Sequence, residues 1–266
     1  MIKIGIDPII FEAGFFTLRW YSLAVLAAAV TGIWWTARAI KKEGLKTDQL
    51  YTLALWALPG GILGSRLVHV VDQMSYYLTQ PGAIVGGQGE AITGAILGGA
   101  LGAYIGAKVH KLNFGILADL AAPGLLLAQA IGRIGCTING DAFGTPTDLP
   151  WGVIYTNPNS FAPLNIATHP AVWYEMAWDL ILFGILLKLK GKLAPAGSIF
   201  VTYIVMYSFG RFFIDFFRGN PPGAFGLHQA QLMTLLTLVV FIPVLIIRTH
   251  WAGKVTPAKK SAAKKT

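Results

Sequence analysis

The apolar run MYSFGRFFIDFF, residues 206–217, carries three groups that are costly in hydrocarbon: Tyr207, Arg211 and Asp215, spaced four apart. On a helix that spacing lays phenol, guanidinium and carboxylate along one face. Two readings of the stripe stand side by side. Arg211 and Asp215 can neutralise each other as an intrahelical ion pair, or the guanidinium can serve chemistry and hold an anion. A second stripe, Glu175 and Asp179, repeats the spacing with like charges, so at least one of them should find a basic partner on another helix, with Arg211 and Arg133 as candidates. A third group follows the greasy stretch LADLAAPGLLLAQA in GRIGCTINGDAFGTPTD, residues 132–148: Arg133, then Asn139, Gly140 and Asp141 within eight residues. A charge at the centre of a membrane helix costs about 2.5 to 3.5 kcal/mol on insertion scales, so such residues are paired or functional. A guanidinium presents a planar fork that matches phosphate oxygens and keeps its charge in a poor dielectric. For Arg133 the bland alternative is a side chain snorkelling to the interface at a helix end, while Asn139 and Gly140 make the exit turn.

The elements that must carry these groups are membrane helices. The chain has 266 residues, 55% of them hydrophobic and 12% charged, a composition foreign to a soluble domain. Hydrocarbon about 30 Å thick needs roughly 20 apolar helical residues. Seven stretches fit, at 20–40, 49–71, 91–109, 115–137, 172–190, 196–217 and 229–249. The expected fold class is therefore all-α, a polytopic membrane protein of about seven transmembrane helices. The fourth stretch contains Pro123 and Gly124, which buried membrane helices tolerate. The start MIKIGIDPIIFEAGF has no cleavable-signal pattern, so the first span is expected to stay in the protein.

The net charge of +9 does not point to nucleic acid, because the basic residues fall in membrane-flanking clusters. Arg38, Lys41, Lys42 and Lys46 follow the first span, Lys108 and Lys111 the third, and Lys188, Lys190 and Lys192 the fifth. Arg248 and five lysines follow the seventh. The alternate connections 72–90 and 139–171 have no lysine or arginine, and 218–228 has only Arg218. By the positive-inside rule the N-terminus lies outside and the C-terminus in the cytoplasm. That orientation places Arg66, Arg133 and Arg211 in the outer leaflet, where they would meet at the phosphate of an anionic phospholipid. Residues 1–252 then form one seven-span transmembrane domain with extracytoplasmic loops at 72–90 and 139–171, and 253–266 a disordered basic tail near anionic headgroups. Cys136 is the only cysteine; it reads as a small inert hydrophobe. No metal or cofactor is expected.

The stretch GRIGCTINGDAFGTPT resembles the signature of the bacterial prolipoprotein diacylglyceryl transferases. Further blocks agree in order along nearly the whole chain: RWYSLA at 19–24, GSRL at 64–67, LPWGV at 149–153, HPAVWYE at 169–175, YSFGRFFIDFFR at 207–218 and QLMT at 231–234. The resemblance implies a reaction. The diacylglyceryl group of phosphatidylglycerol passes to the lipobox cysteine thiol of a preprolipoprotein, forming a thioether and releasing glycerol phosphate. It implies catalytic roles for Arg133, Arg211, Tyr207, Asp141 and Asp215, the last two at positions that are glutamate in the family. It implies substrate-binding roles for Tyr21, Arg66, Asn139, Gly140, Gly144, His169 and Glu175. One departure matters: Thr93 stands where the family has a histidine proposed as the thiol base, and threonine is no base near neutral pH. His169, Asp141 or Asp215 then remain to take the proton; for His169, just before Pro170, a structural hydrogen bond is the commoner role. The expected partners are phosphatidylglycerol, lipobox signal peptides and the bacterial cell membrane, with the chain acting as a monomer. An anionic-solute transporter or lipid flippase would share the arginines, and the chemistry of transfer separates the classes.

Overall fold

The computed structural model describes residues 1–14, 16–86, 91–221 and 223–252. It is mostly helical: α1 (Trp20–Lys42), α2 (Asp48–Asp72), α3 (Met74–Thr79), α4 (Ala83–Gly86), α5 (Ile92–Val109), α6 (Phe114–Asn139), α7 (Ala171–Leu189), α8 (Ser198–Ile214) and α9 (Gln229–Arg248). A helix covers each of the seven apolar stretches. Among the described residues five of them, α1, α2, α6, α9 and α8 with the 3-10 turn that extends it to Phe217, are long and apolar enough to cross a membrane. Their outer faces remain greasy: Leu55 is 71% and Ile247 81% exposed, a surface suited to lipid chains rather than water. Helix α6 runs unbroken through Pro123, as do α2 through Pro59 and α9 through Pro243. The basic tail expected at 253–266 and the end of the 72–90 connection, 87–90, lie outside the described residues.

The chain divides into two compact units, residues 26–128 and residues 1–25 with 129 onward. In the first, α2 and α5 approach backbone to backbone. A Cβ on Gly60 would stand 2.5 Å from the Gly98 carbonyl oxygen, and one on Gly64 or Gly94 would collide with the other's carbonyl. Small residues at such seams let membrane helices gain van der Waals contact where no hydrophobic effect drives them together. This is what the Gly- and Ala-rich composition of the third stretch is for. Where α1 and α6 meet, a Cβ on Gly124 would lie 2.9 Å from Thr36 Oγ1. Ile40, Leu117 and Leu120 form the nearby core, with Leu45, Leu50 and Leu53 against it.

The second unit corrects the all-α expectation, because short strands occupy the chain outside the helices. β1 (Ile2–Ile4) lies parallel to β4 (Val153–Tyr155), which pairs antiparallel with β5 (Ala167–Thr168). β2 (Ile9–Ala13) and β3 (Phe16–Arg19) make a hairpin that leads into α1, and β6 (Leu193–Ala194) pairs with β7 (His250–Trp251). The β-branched residues at Ile2, Ile4, Val153 and Ile154 suit a pleated, half-buried surface. The resulting sheet ties the long segment after α6 to the N-terminus. Asp7 strengthens the tie, its carboxylate accepting from the Ile9 N–H at 2.9 Å and from Asn159 at 3.2 Å. Tyr155 donates to the Thr137 carbonyl at 3.1 Å. Burial, with Asp141 and Cys136 nearby, pushes that phenol up to about 12, so it stays a donor.

Candidate functional site

Helices α6, α7 and α8 bring the buried charges of the second unit to one place, and the residue at the centre is Glu175. Its side chain is fully buried in the first turns of α7. One carboxylate oxygen accepts from Arg133 on α6 and, at 3.3 Å, from the Tyr207 hydroxyl on α8. The other accepts from Arg211 on α8 and, at 2.7 Å, from Arg218. Four donors saturate a group whose two oxygens offer about four acceptor sites. The basic partner expected for Glu175 is therefore both candidates at once, with a third arginine added.

Helix α8 stops at Ile214, and Asp215–Phe217 tighten into a 3-10 turn. This change of pitch lets Asp215 face several cations rather than Arg211 alone. Asp215, fully buried, stands 3.6 Å from Arg211 Nη2, 3.8 Å from Arg218 Nε and 2.9 Å from His228 Nδ1. The intrahelical pair anticipated in the sequence thus exists, but Arg211 gives its hydrogen bond to Glu175. Three guanidiniums are thus ion-paired to two carboxylates, Glu175 and Asp215. Each guanidinium has five N–H donors and spends only part of them here. The Arg133 side chain keeps 20% of its surface accessible and Arg211 13%, so both can still be reached by an anion. One turn along α7, Asp179 is buried with both carboxyl oxygens lacking a hydrogen-bond partner among the described residues.

The segment after α6 docks Arg218. Helix α6 ends at Asn139, and Gly140 turns the chain with φ +74° while its N–H returns to the Cys136 carbonyl at 2.9 Å. Asn139 is buried and accepts from Arg19 at 3.1 Å; Arg19 also lies over the Phe161 ring. Beyond the turn, Gly144 bridges to Arg218, Thr145 N–H donates to the Phe217 carbonyl at 2.9 Å, and Gly219 N–H donates to the Phe143 carbonyl at 3.1 Å. A Cβ on Gly144 would lie 2.7 Å from the Phe217 oxygen and collide with the His169 carbonyl. Glycine is required here so that the loop can hold Arg218 against Glu175. Gly144→Ala is expected to cost about 1–3 kcal/mol through overpacking, read as a lower unfolding midpoint in detergent. Gly184→Ala, inside α7 where an added Cβ meets nothing within 4 Å, should not lower the midpoint.

The other residues singled out in the sequence fall in different settings. His169 packs on Phe217 with ring centroids 5.1 Å apart and sits 3.4 Å from the Tyr174 hydroxyl, an aromatic wedge behind Arg218. Tyr21, at the start of α1, packs its backbone on Gly135 of α6. Asp141 is exposed, with no ion pair to the arginines among the described residues. Arg66 belongs to the other unit, where it donates to the Ala83 and Ile84 carbonyls and lies over the Tyr77 ring; Thr93 lies in that unit too, near the start of α5. Cys136 is buried, its sulfur 4.0 Å from Arg133 Nη1. Sequence reasoning passed over Arg218, counting it only as the single basic residue of its connection, and did not weigh His228 at all. The signal for Arg218 was its place three residues after Asp215 and seven after Arg211.

A cluster of guanidiniums sharing a buried carboxylate suits a phosphate-bearing substrate, and comparison with known proteins agrees in chemistry. The family model described as prolipoprotein diacylglyceryl transferase matches residues 8–247. The phosphatidylglycerol–prolipoprotein diacylglyceryl transferase of Dehalococcoides mccartyi strain 195 is 39% identical over 249 residues, 93% of this chain and 96% of that protein. The proteins of the same name from Acaryochloris marina and Limosilactobacillus reuteri are 41% and 36% identical, the first covering 86% of both chains and the second 94% of both. With a match across nearly its whole length, the chain belongs to the prolipoprotein diacylglyceryl transferase family.

Proposed function

We propose that this protein transfers the diacylglyceryl group of phosphatidylglycerol to the lipobox cysteine of preprolipoproteins. The observation that carries the reading is the gathering of Arg133, Arg211 and Arg218 on one buried carboxylate in a member of this family. The phosphodiester would sit against the accessible edges of Arg133 and Arg211. As sulfur attacks the glycerol carbon, the C–S bond forms and the C–O bond breaks, and the electron pair leaves on a phosphate oxygen. Fixed cations stabilise that growing charge without reorganising, the largest contribution in most such catalysis. Glu175 and Tyr207 hold the two guanidiniums in register, and Asn139, Gly140 and Gly144 hold the loop.

The basic clusters at alternate connections support seven spans, with α5 and α7 counted among them, an outer N-terminus and a cytoplasmic C-terminus. In that orientation residues 1–252 form the catalytic domain, the site faces the extracytoplasmic side, and 253–266 is a cytoplasmic basic tail. Helix α7 then crosses the bilayer despite Glu175 and Asp179 because both are turned into the protein. The chain works as a monomer without metal or cofactor. Tyr21 and His169 complete the lipid site, and Asp141 lies at its rim.

The test is transfer of a labelled diacylglyceryl group from phosphatidylglycerol to a lipobox peptide by the purified protein in detergent. The expected result is a thioether-linked product with the cysteine peptide and none with its serine counterpart. Release of free phosphatidylglycerol across a vesicle bilayer with no product would instead identify a flippase.

A further inference from the structure

Asp215 reaches past the arginines to a second group. Its Oδ2 lies 2.9 Å from His228 Nδ1, and its own carbonyl oxygen lies 3.0 Å from the same nitrogen. Both neighbours accept when the carboxylate is ionised, so a hydrogen on Nδ1 would be held between them and a neutral ring would keep its lone pair on Nε2. The ring is anchored further along the chain. The His228 backbone N–H donates to Gln231 Oε1 at 2.9 Å, and Gln231 Nε2 donates to the Phe212 carbonyl at 3.3 Å. These contacts fix the imidazole between the end of α8 and the start of α9.

The His228 side chain keeps 14% of its surface accessible, and it lines a cavity of about 360 Å³ together with Phe143, Gly144, Thr168, Arg218 and Asn220. Arg218 belongs to this cavity wall and to the cluster on Glu175 at once. The cavity therefore adjoins the place where a phosphodiester would bind, and His228 and Arg218 both line it.

We propose that His228, oriented by Asp215, takes the proton from the acceptor thiol in this cavity; the proposal rests on the transferase reading above. A free thiol titrates near 8.5, so only a few per cent is thiolate at neutral pH, and a positioned base has work to do. The S–H proton passes to His228 Nε2, and the thiolate attacks the glycerol carbon. The C–S bond forms as the C–O bond breaks, glycerol phosphate leaves with the electron pair, and the imidazolium returns its proton to water. Asp215 stabilises the imidazolium; Arg218, which lines the same cavity, favours the thiolate. The charged groups facing the ring are Asp215 and Arg218, with Arg211 acting through Asp215 at 3.6 Å.

The test uses His228→Asn, whose side-chain amide keeps a donor where Nδ1 stands and has no basic nitrogen. Transfer is measured with a cysteine lipobox peptide and with its selenocysteine counterpart, whose selenol is already ionised at neutral pH. The expected result at pH 7 is a loss of about 100-fold or more with the cysteine peptide and a rate within a few-fold of the parent with the selenocysteine peptide. Loss of both activities would make the imidazole structural, and retention of both would make it dispensable; either overturns the proposal. If the parent protein transfers to neither peptide, the failure lies with the transferase reading itself.

Discussion

Glu175→Gln lowers the stability of the detergent-solubilised protein by about 3–5 kcal/mol, the cost of removing one partner from a buried ion pair. The substitution keeps volume and shape, so packing is not what changes. It replaces one acceptor oxygen by a donor amide facing Arg133 and Tyr207 or Arg211 and Arg218, and it leaves three guanidiniums with Asp215 as the nearest carboxylate. In a chain of this size the unfolding midpoint falls by about 10 °C. The double variant Glu175→Gln/Arg218→Gln should recover part of that loss, because it also removes one of the uncompensated cations. A coupling of about 0.5–3 kcal/mol is expected for residues in one network. A midpoint within 2 °C of the parent for Glu175→Gln alone would mean that the arginines do not depend on this carboxylate, and the account of the site would fail with it.

The second large effect is on catalysis. Arg133→Gln and Arg211→Gln should each reduce diacylglyceryl transfer by about 100- to 1000-fold, the range seen when one preorganised donor to a developing negative charge is removed. Arg133→Lys and Arg211→Lys separate charge from geometry. Lysine keeps the positive charge but cannot present a planar fork, so the lysine variants should stay folded, retain an ion pair to Glu175 and still transfer slowly. Unchanged transfer in both glutamine variants would rule out the phosphate clamp. A purely structural role predicts a different pattern, in which activity falls only in proportion to the folded fraction recovered.

Much of the architecture could be read from the chain because hydrocarbon permits few solutions. A run of about 20 apolar residues must satisfy its own backbone and becomes a helix, and each of the seven runs is helical. Gly140 at the end of α6 was legible for a similar local reason: the turn needs a positive φ, and glycine reaches it without strain. The strands were not legible. β1 is three residues long and pairs with β4, about 150 residues further on, so no pattern within either segment reveals the partner.

The buried charges show the same division. Four-residue spacing identifies neighbours on one helix, and the Arg211 and Asp215 pair is present at 3.6 Å. It cannot say which helix faces which. Glu175 lies 42 residues from Arg133, 36 from Arg211 and 43 from Arg218, and only the packing of α6, α7 and α8 makes it their common counter-ion. Arg66, grouped with Arg133 and Arg211 by its place in a span, belongs to the other unit, where it donates to the backbone carbonyls of residues 83 and 84. His228 became significant only once the 3-10 turn at Asp215–Phe217 set Asp215 beside it. The sequence by itself determined the membrane helices, the kinds of charge they carry and the family to which the chain belongs, since these follow from local composition and short motifs. The tertiary structure decided which charges meet, because contacts between distant segments depend on how whole helices pack rather than on any pattern within one of them.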